Sequence, residues 1–340
     1  MFRSKTTSVL AAASAIGIAV VLAGCSTGSS AASGDSSSSS AKKTIAMVTP
    51  ESTGEFYGTM YCGAKAAADK EGVTLKIQGT PETTTDAEMQ VLQSVLATNP
   101  DGLLLTVWDN TAFNSTLKSY TDSGKPLVMP DSFLSNKEYV QSIRTDNYQS
   151  SYDAAVQAIK DFKLTTGKVV IVTDSPGNQV QSDRAKGFKD AIEKESKLTA
   201  LDIQYVGGDS AKASQTVSSQ LSANSDVKLV FSTNIGAGTG AANAISASGD
   251  DDIVHVGYDT ASNQVASLKK GEYDALVAQD PYTEGYDATE LMAKLVKGDT
   301  KAADVKDQTV YSPWKLVTKD NVDDADVQKY LYTSDCSKLG

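Results

Sequence analysis

The chain contains one histidine, three cysteines and two tryptophans in 340 residues. A lone histidine excludes a site built on a histidine cluster. His255 also falls inside the strand-like run "IVHVGYD", where packing is the expected role. No G-x-S-x-G elbow is present, so a Ser–His–Asp hydrolase would have to use that one residue. The acidic runs "GDDD" and "DDAD" lack the glycine and terminal glutamate of a calcium loop and read as solvated surface. No metal and no cofactor are expected. Positive charge is also short: the formal net charge is -11, which argues against binding nucleic acid or an anionic lipid face. Beyond the N-terminal segment no apolar run approaches spanning length.

That N-terminal segment has a structure of its own. Arg3 and Lys5 precede an uncharged run from Thr6 to Ala23, the layout of a secretory signal. "LAG" followed by Cys25 resembles the bacterial lipobox, which implies cleavage before Cys25 and a lipid on its side chain. Ser26 to Ala41 is almost entirely Ser, Gly and Ala, cannot bury a core, and reads as a coil of about 20–24 Å root-mean-square span. Residues 1–24 are expected to be a signal peptide, and residues 25–42 a lipidated, Ser-rich tether that holds an extracytoplasmic body at the membrane.

From Lys43 onward, apolar runs alternate with helical periods: "TIAMVT", "VTLKIQG", "GLLLTVW" and "PLVMPD", then "KVVIVTD", "LDIQYVGG", "VKLVFSTN", "IVHVGYD" and "DALVAQD". Continuous apolar runs of this length between helices mark parallel strands covered on both faces. The expected fold is α/β, two doubly wound parallel-sheet lobes. Each half closes on a strand ending in aspartate, Asp131 in "LVMPD" and Asp259 in "HVGYD". Asn234 and Gln279 close two further strands. Ligands of open α/β sheets sit beyond such strand ends. Paired carboxylate acceptors with amides of mixed polarity suit a ligand rich in hydroxyls, and aromatic rings suit its apolar face. Each aspartate taken alone could equally be a helix cap.

The segments "TIAMVTPESTGEFYGTM", "GKPLVMPDS", "DRAKGFKDAI", "VKLVFSTN", "IVHVGYDT" and "LVAQDPY" together resemble the ribose- and galactose-binding type of periplasmic sugar-binding proteins, the type I solute-binding fold. The resemblance implies discontinuous lobes joined by three hinge crossings, near Asp146, Asp280 and Val310. The N-terminal lobe would comprise residues 43–146 and 281–309, the C-terminal lobe 147–280 and 310–320, with a tail from 321 to 340. It also implies ligand contacts from Phe56, Tyr57, Asp131, Asn234, Asp259 and Gln279, with Trp108 a further aromatic candidate. In the ribose-type pattern an arginine follows the first aspartate, and here Ser132 stands there. A second arginine of the pattern would align near Ser182, and the nearest arginine is Arg184. An asparagine expected before the aromatic pair is replaced around Gly54 and Glu55. The implied function is capture of a small carbohydrate for an ABC permease, by a monomer. A sensing lipoprotein of the same fold is the alternative, and a carbohydrate-active enzyme a more distant one.

Two smaller features complete the reading. "GAGTGA", Gly236 to Ala241, fits a dinucleotide glycine pattern with Asp259 at the right distance, but it equally marks a helix start where small residues pack closely. Cys62 lies on a helix expected around Glu55 to Glu71, off the apolar face made by Phe56, Met60, Gly63 and Ala67. Outside the cytoplasm this favours a bridge to Cys336 that fastens the tail to the first lobe, the alternative being two free thiols.

Overall fold

The computed structural model describes residues 42–339. The signal segment, Cys25 and most of the tether lie outside the described residues. The first half runs β1 (Thr44–Thr49), α1 (Glu55–Glu71), β2 (Thr74–Gly79), α2 (Thr85–Ala97), β3 (Gly102–Leu105), α3 (Asn114–Asp122), β4 (Leu127–Pro130) and β5 (Gln141–Thr145). The second half runs α4 (Asn147–Asp161), β6 (Gly167–Thr173), α5 (Gln179–Glu195), β7 (Leu198–Ala200), β8 (Gln204–Tyr205), α6 (Ser210–Ala223), β9 (Val227–Ser232), α7 (Ile235–Ser248), β10 (Val254–Tyr258), α8 (Ser262–Lys270) and β11 (Ala275–Ala278). Then follow α9 (Pro281–Lys297), β12 (Thr309–Ser312), β13 (Lys315–Thr318) and α10 (Ala325–Gln328).

Two sheets result. One is six-stranded in the order β12-β5-β4-β3-β1-β2, the other seven-stranded along β13-β11-β10-β9-β6-β7 with β8 beside β6. Every pairing is parallel except β13 against β11. The central strands are buried along their whole length because helices cover both faces, as their uninterrupted apolar runs require. Each lobe has a core on either side of its sheet. Ile45, Met47 and Leu104 pack with α1 and α9 on one face of the first sheet, and Val48, Leu103 and Leu105 with α2 and α3 on the other.

The chain passes between sheets three times, at Asp146, at Asp280 and between Ser312 and Lys315. Two of these passages begin a helix on an aspartate cap: Asp146 accepts from the Gln149 N–H at 3.1 Å, and Asp280 from the Thr283 N–H at 3.1 Å, with Pro281 in the first turn. Glu284, fully buried one turn into α9, accepts from the hydroxyls of Ser312 (2.6 Å) and Thr145 (3.2 Å). One carboxyl thus ties all three passages together.

The tail makes a fourth link. Tyr330 packs against Leu276, Ala278 and Val317 of the second lobe. Thr333 then pairs with Thr59 of α1, and Cys336 forms a disulfide with Cys62, with Cα atoms 5.2 Å apart. Cys62 is off the α1 sheet-facing stripe but buried, because the tail covers it.

Candidate functional site

A cavity of about 520 Å³ opens between the lobes at the carboxyl ends of both sheets. Its two sides are built alike. Asp131 follows β4 with φ 59°, and its N–H donates to the Ile143 carbonyl at 2.8 Å. Asp259 follows β10 with φ 78°, and its N–H donates to the Val277 carbonyl at 2.9 Å. In each lobe the strand thus keeps one more ladder bond and then turns left-handed. This backbone conformation is uncommon outside glycine and best tolerated by Asp and Asn. The two carboxylates are thereby placed on the cavity wall from opposite sides.

The second-lobe side is an assembled network. Gln279 donates from Nε2 to Asp259 Oδ1 at 2.7 Å and accepts from Arg184 Nη2 at 2.9 Å. Arg184 lies at the buried centre: its Nε donates to Asn147 at 2.7 Å, its Nη1 to the Thr233 carbonyl at 2.9 Å, and its plane lies 3.8 Å from the Tyr258 ring centroid. Asn234 caps α7, accepting from the Ala237 N–H at 2.8 Å, while its amide nitrogen faces Asp174 at 3.4 Å. Burial pushes the Asp259 carboxyl upward, opposed by the Arg184 guanidinium and the bonds from Gln279 and Tyr332.

The first-lobe side is barer. Asp131 is 7% exposed and its Oδ1 is buried with no hydrogen-bond partner. Burial pushes its carboxyl up to about 6, with Arg184 and Arg144 pulling down and Asp259 pushing further up. Phe56 and Tyr57 line the cavity from the first turn of α1, their rings edge to face at 5.1 Å. Trp108 also lines it, with its backbone N–H donating to the buried Glu88 at 3.0 Å. Ser132 lines the wall too, but its hydroxyl accepts from the Val107 N–H at 2.9 Å.

Each of the nine candidate residues, Phe56, Tyr57, Trp108, Asp131, Ser132, Arg184, Asn234, Asp259 and Gln279, therefore lies on this one cavity. Of the two positions near the expected second arginine, Arg184 lines the cleft and Ser182 does not. Residues 181 and 184 share one face of α5, both line the cavity, and position 182 is turned away by a helical step.

Sequence reasoning did not find three contributors. Tyr332, from the tail, donates to Asp259 Oδ1 at 3.1 Å and packs edge to face on Phe56 at 5.4 Å. Its proximity to Cys336 was the available signal, since the bridge leads to the helix that carries Phe56. Glu51 lines the cavity from the loop after β1, and Gly54 makes room for it: a Cβ there would meet the Glu51 carboxylate at 2.6 Å. Glu55 reaches across the mouth, accepting from the N–H and hydroxyl of Ser262 at 2.6 and 2.7 Å. On another part of the rim, Asn110 accepts from the Gln179 N–H at 2.9 Å. The lobes are closed on each other.

The other sequence motifs are structural. Gly236 abuts the Gly208 carbonyl and Gly240 abuts Ser210, so the glycines of "GAGTGA" let α7 approach the preceding loop and α6. His255 is buried on β10, stacked on Tyr273 at 4.1 Å, with its ring nitrogens 3.1 Å from Ser232 Oγ and the Glu272 carbonyl. Among the described residues, no group of three His, Cys, Asp or Glu is arranged to hold a metal, and no helix is long and apolar enough to cross a membrane.

Two doubly wound lobes closed over a polar cavity at their strand ends define a cleft-binding protein. A family described as a periplasmic binding protein domain matches residues 45–300, and the chain belongs to that family. It is 27% identical over 263 residues to the ribose import binding protein of Escherichia coli, covering 76% of this chain and 86% of the relative. To the ribose import binding protein of Bacillus subtilis it is 27% identical over 281 residues, covering 81% and 87%. A solved ABC transporter solute-binding protein from Agrobacterium vitis, bound with α-D-tagatopyranose, superposes with a TM-score of 0.80 at 27% identity, covering 86% of this chain and 100% of that one. The chain is a type I periplasmic binding protein that works outside the cytoplasm, not an enzyme.

Proposed function

We propose that the protein captures a monosaccharide-sized polyol between its lobes and delivers it to an ABC importer, from a body tethered to the membrane by lipid on Cys25. The observation that carries the reading is the pair of strand-end carboxylates, Asp131 and Asp259, on opposite walls of one interlobe cavity with aromatic rings beside them. Carboxylates accept paired hydroxyl protons in charge-assisted bonds, Gln279 and Asn234 can bond hydroxyls in either sense, and Phe56, Tyr57 and Trp108 cover C–H faces. Phe56, Tyr57, Asp131 and Ser132 are contributed by the first lobe, Arg184, Asn234, Asp259 and Gln279 by the second. A ligand spanning both favours the closed state and shifts the population toward it.

Import is preferred to sensing because the curated relatives above are import proteins. The test is thermal unfolding of the full-length chain in detergent against a panel of monosaccharides and cyclitols. A ligand at one hundred times its dissociation constant stabilises the fold by about 2.7 kcal/mol. A hit whose epimers are silent supports the reading, and silence across the panel refutes it. Mass spectrometry of the N-terminal peptide checks the lipid on Cys25, and ligand-stimulated ATP hydrolysis by the reconstituted permease separates import from sensing.

A further inference from the structure

The cavity wall is unbalanced in charge. Glu51, Asp131 and Asp259 face the cavity, Glu55 stands at its mouth, and among the described residues Arg184 is the one cation on the wall. Arg184 is already engaged by Asn147, the Thr233 carbonyl and Gln279, and stacked on Tyr258, and it makes no hydrogen bond to either aspartate. Arg144 lies behind Asp131, held between the rings of Phe133 (4.6 Å) and Tyr311 (5.2 Å), and is not part of the wall. Glu55 is satisfied by Ser262. Asp131, more than nine-tenths buried, keeps an oxygen without a partner, and the Glu51 carboxylate occupies the space that Gly54 leaves open. A neutral ligand would leave two buried carboxylates, Asp131 and Asp259, and the half-buried Glu51 on a wall whose one guanidinium is already shared out, with Arg144 acting on Asp131 only from outside the wall. Enclosing unmatched charge is costly unless the occupant supplies the missing sign.

We propose that the cleft selects a cationic polyol, a monosaccharide or cyclitol bearing one protonated amine, with the ammonium group held by Glu51 and Asp131. The inference rests on the proposed function and specifies its ligand class. An ammonium group brings three donors and no acceptor, the complement of two unpartnered carboxylates. The rings of Phe56, Tyr57 and Trp108 accept a cation as readily as a C–H face. A divalent metal fits less well, because the described residues offer no metal-ligating trio. Burial and the Asp259 charge push the Glu51 carboxyl upward, as expected of a carboxylate lacking a cation beside it.

The experiment titrates the full-length chain at neutral pH with matched trios: glucose, glucosamine and N-acetylglucosamine, and the galactose and mannose equivalents. The amine of at least one trio is expected to bind about tenfold or more tighter than both its hydroxyl parent and its uncharged N-acetyl form. Glu51→Gln should shrink that ratio about tenfold while the variant unfolds at the wild-type temperature. Ser132→Arg, which adds a cation to the wall, should reverse the preference. A neutral sugar that outcompetes its own amine overturns this inference and leaves the polyol-binding function standing. Failure of every amine here, while a neutral sugar or cyclitol of the wider panel binds, overturns this inference alone; silence of the wider panel and of every trio overturns both. An amine preference untouched in Glu51→Gln overturns the assignment of the ammonium site.

Discussion

The two lobes present the same device in different states of completion. Asp131 and Asp259 both follow a strand, both adopt positive φ and both bond the neighbouring strand through their N–H. Asp259, however, receives Gln279 and Tyr332, while Asp131 Oδ1 receives nothing. The second lobe is a preorganised wall, and the first is a wall that the ligand completes. Such an arrangement lets one lobe orient the ligand before closure, while the other supplies interactions made only when the cleft is shut. The lobes also differ in how the tail meets them, by packing against the second and by a disulfide to the first.

The strongest way to break the comparison is to remove the centre of the preorganised wall. Arg184→Met should cost about 3–5 kcal/mol of stability, because Asp259 loses its facing cation and Gln279, Asn147 and the Thr233 carbonyl lose a donor inside the protein. Denaturant unfolding measures it. A loss under about 1 kcal/mol would mean that the network is decorative. The tail comes next. The Cys62→Ser, Cys336→Ser pair opens a link between residues separated by 274 positions and should destabilise by about 2–4 kcal/mol, measured by the same unfolding curves. Ligand affinity should fall with it, since the tail carries Tyr332 to Asp259 and Phe56.

The comparison sharpens when the two aspartates are changed alike. Asp131→Asn removes a desolvated carboxylate whose Oδ1 has no hydrogen-bond partner and whose burial outweighs the pull of Arg184 and Arg144, at a φ that Asn tolerates, so stability at neutral pH should rise by about 1–2 kcal/mol while ligand affinity falls. Asp259→Asn should lower both, stability by about 1–2 kcal/mol, because Arg184, Gln279 and Tyr332 are arranged around a negative charge. Opposite signs of the stability change are the result to look for. Equal signs would show that the lobes are alike in energy as well as in backbone.

Sequence patterning carried most of this architecture. The apolar runs placed the parallel strands, and the α1 limits at Glu55 and Glu71 followed from its period. The strand-end position of the two aspartates was legible because strands in such sheets end where side chains enter the cleft. What was not legible depends on tertiary contact. Tyr332 acts across more than 70 residues from Asp259, an approach that only the neighbouring Cys336, through its bridge to α1, could have hinted at. The third passage between the sheets falls after Ser312, beyond the expected Val310, because β12 and β13 are short and only half apolar. Nothing in the sequence singles out Glu51 or Glu88, since a carboxylate buried by tertiary packing looks the same in sequence as a solvated one.

Glu88 separates the lobes by pH. It is buried in the first lobe behind Trp108. Burial pushes its carboxyl up to about 8, against the pull of the Trp108 N–H and with a further push from Asp109. The folded state therefore holds a proton that the unfolded chain loses above the ordinary value near 4.5. Its contribution to stability is fully present below that value and is lost progressively as the pH rises from there to about 8, at up to about 1.4 kcal/mol per pH unit, with no further change above 8. His255 in the second lobe works in the opposite direction. Burial lowers it from 6.5 to about 4, with the Glu272 carbonyl opposing, so its stabilisation is present above 6.5 and is lost as the pH falls toward 4. Glu88→Gln should remove a fall of melting temperature with rising pH between about 4.5 and 8, whereas His255→Phe should remove a fall with decreasing pH between about 6.5 and 4. A fall toward pH 8 unaltered in Glu88→Gln would assign it to the other raised carboxyls, Glu284 and Asp131, which lie at the hinge and the cleft rather than behind the aromatic wall.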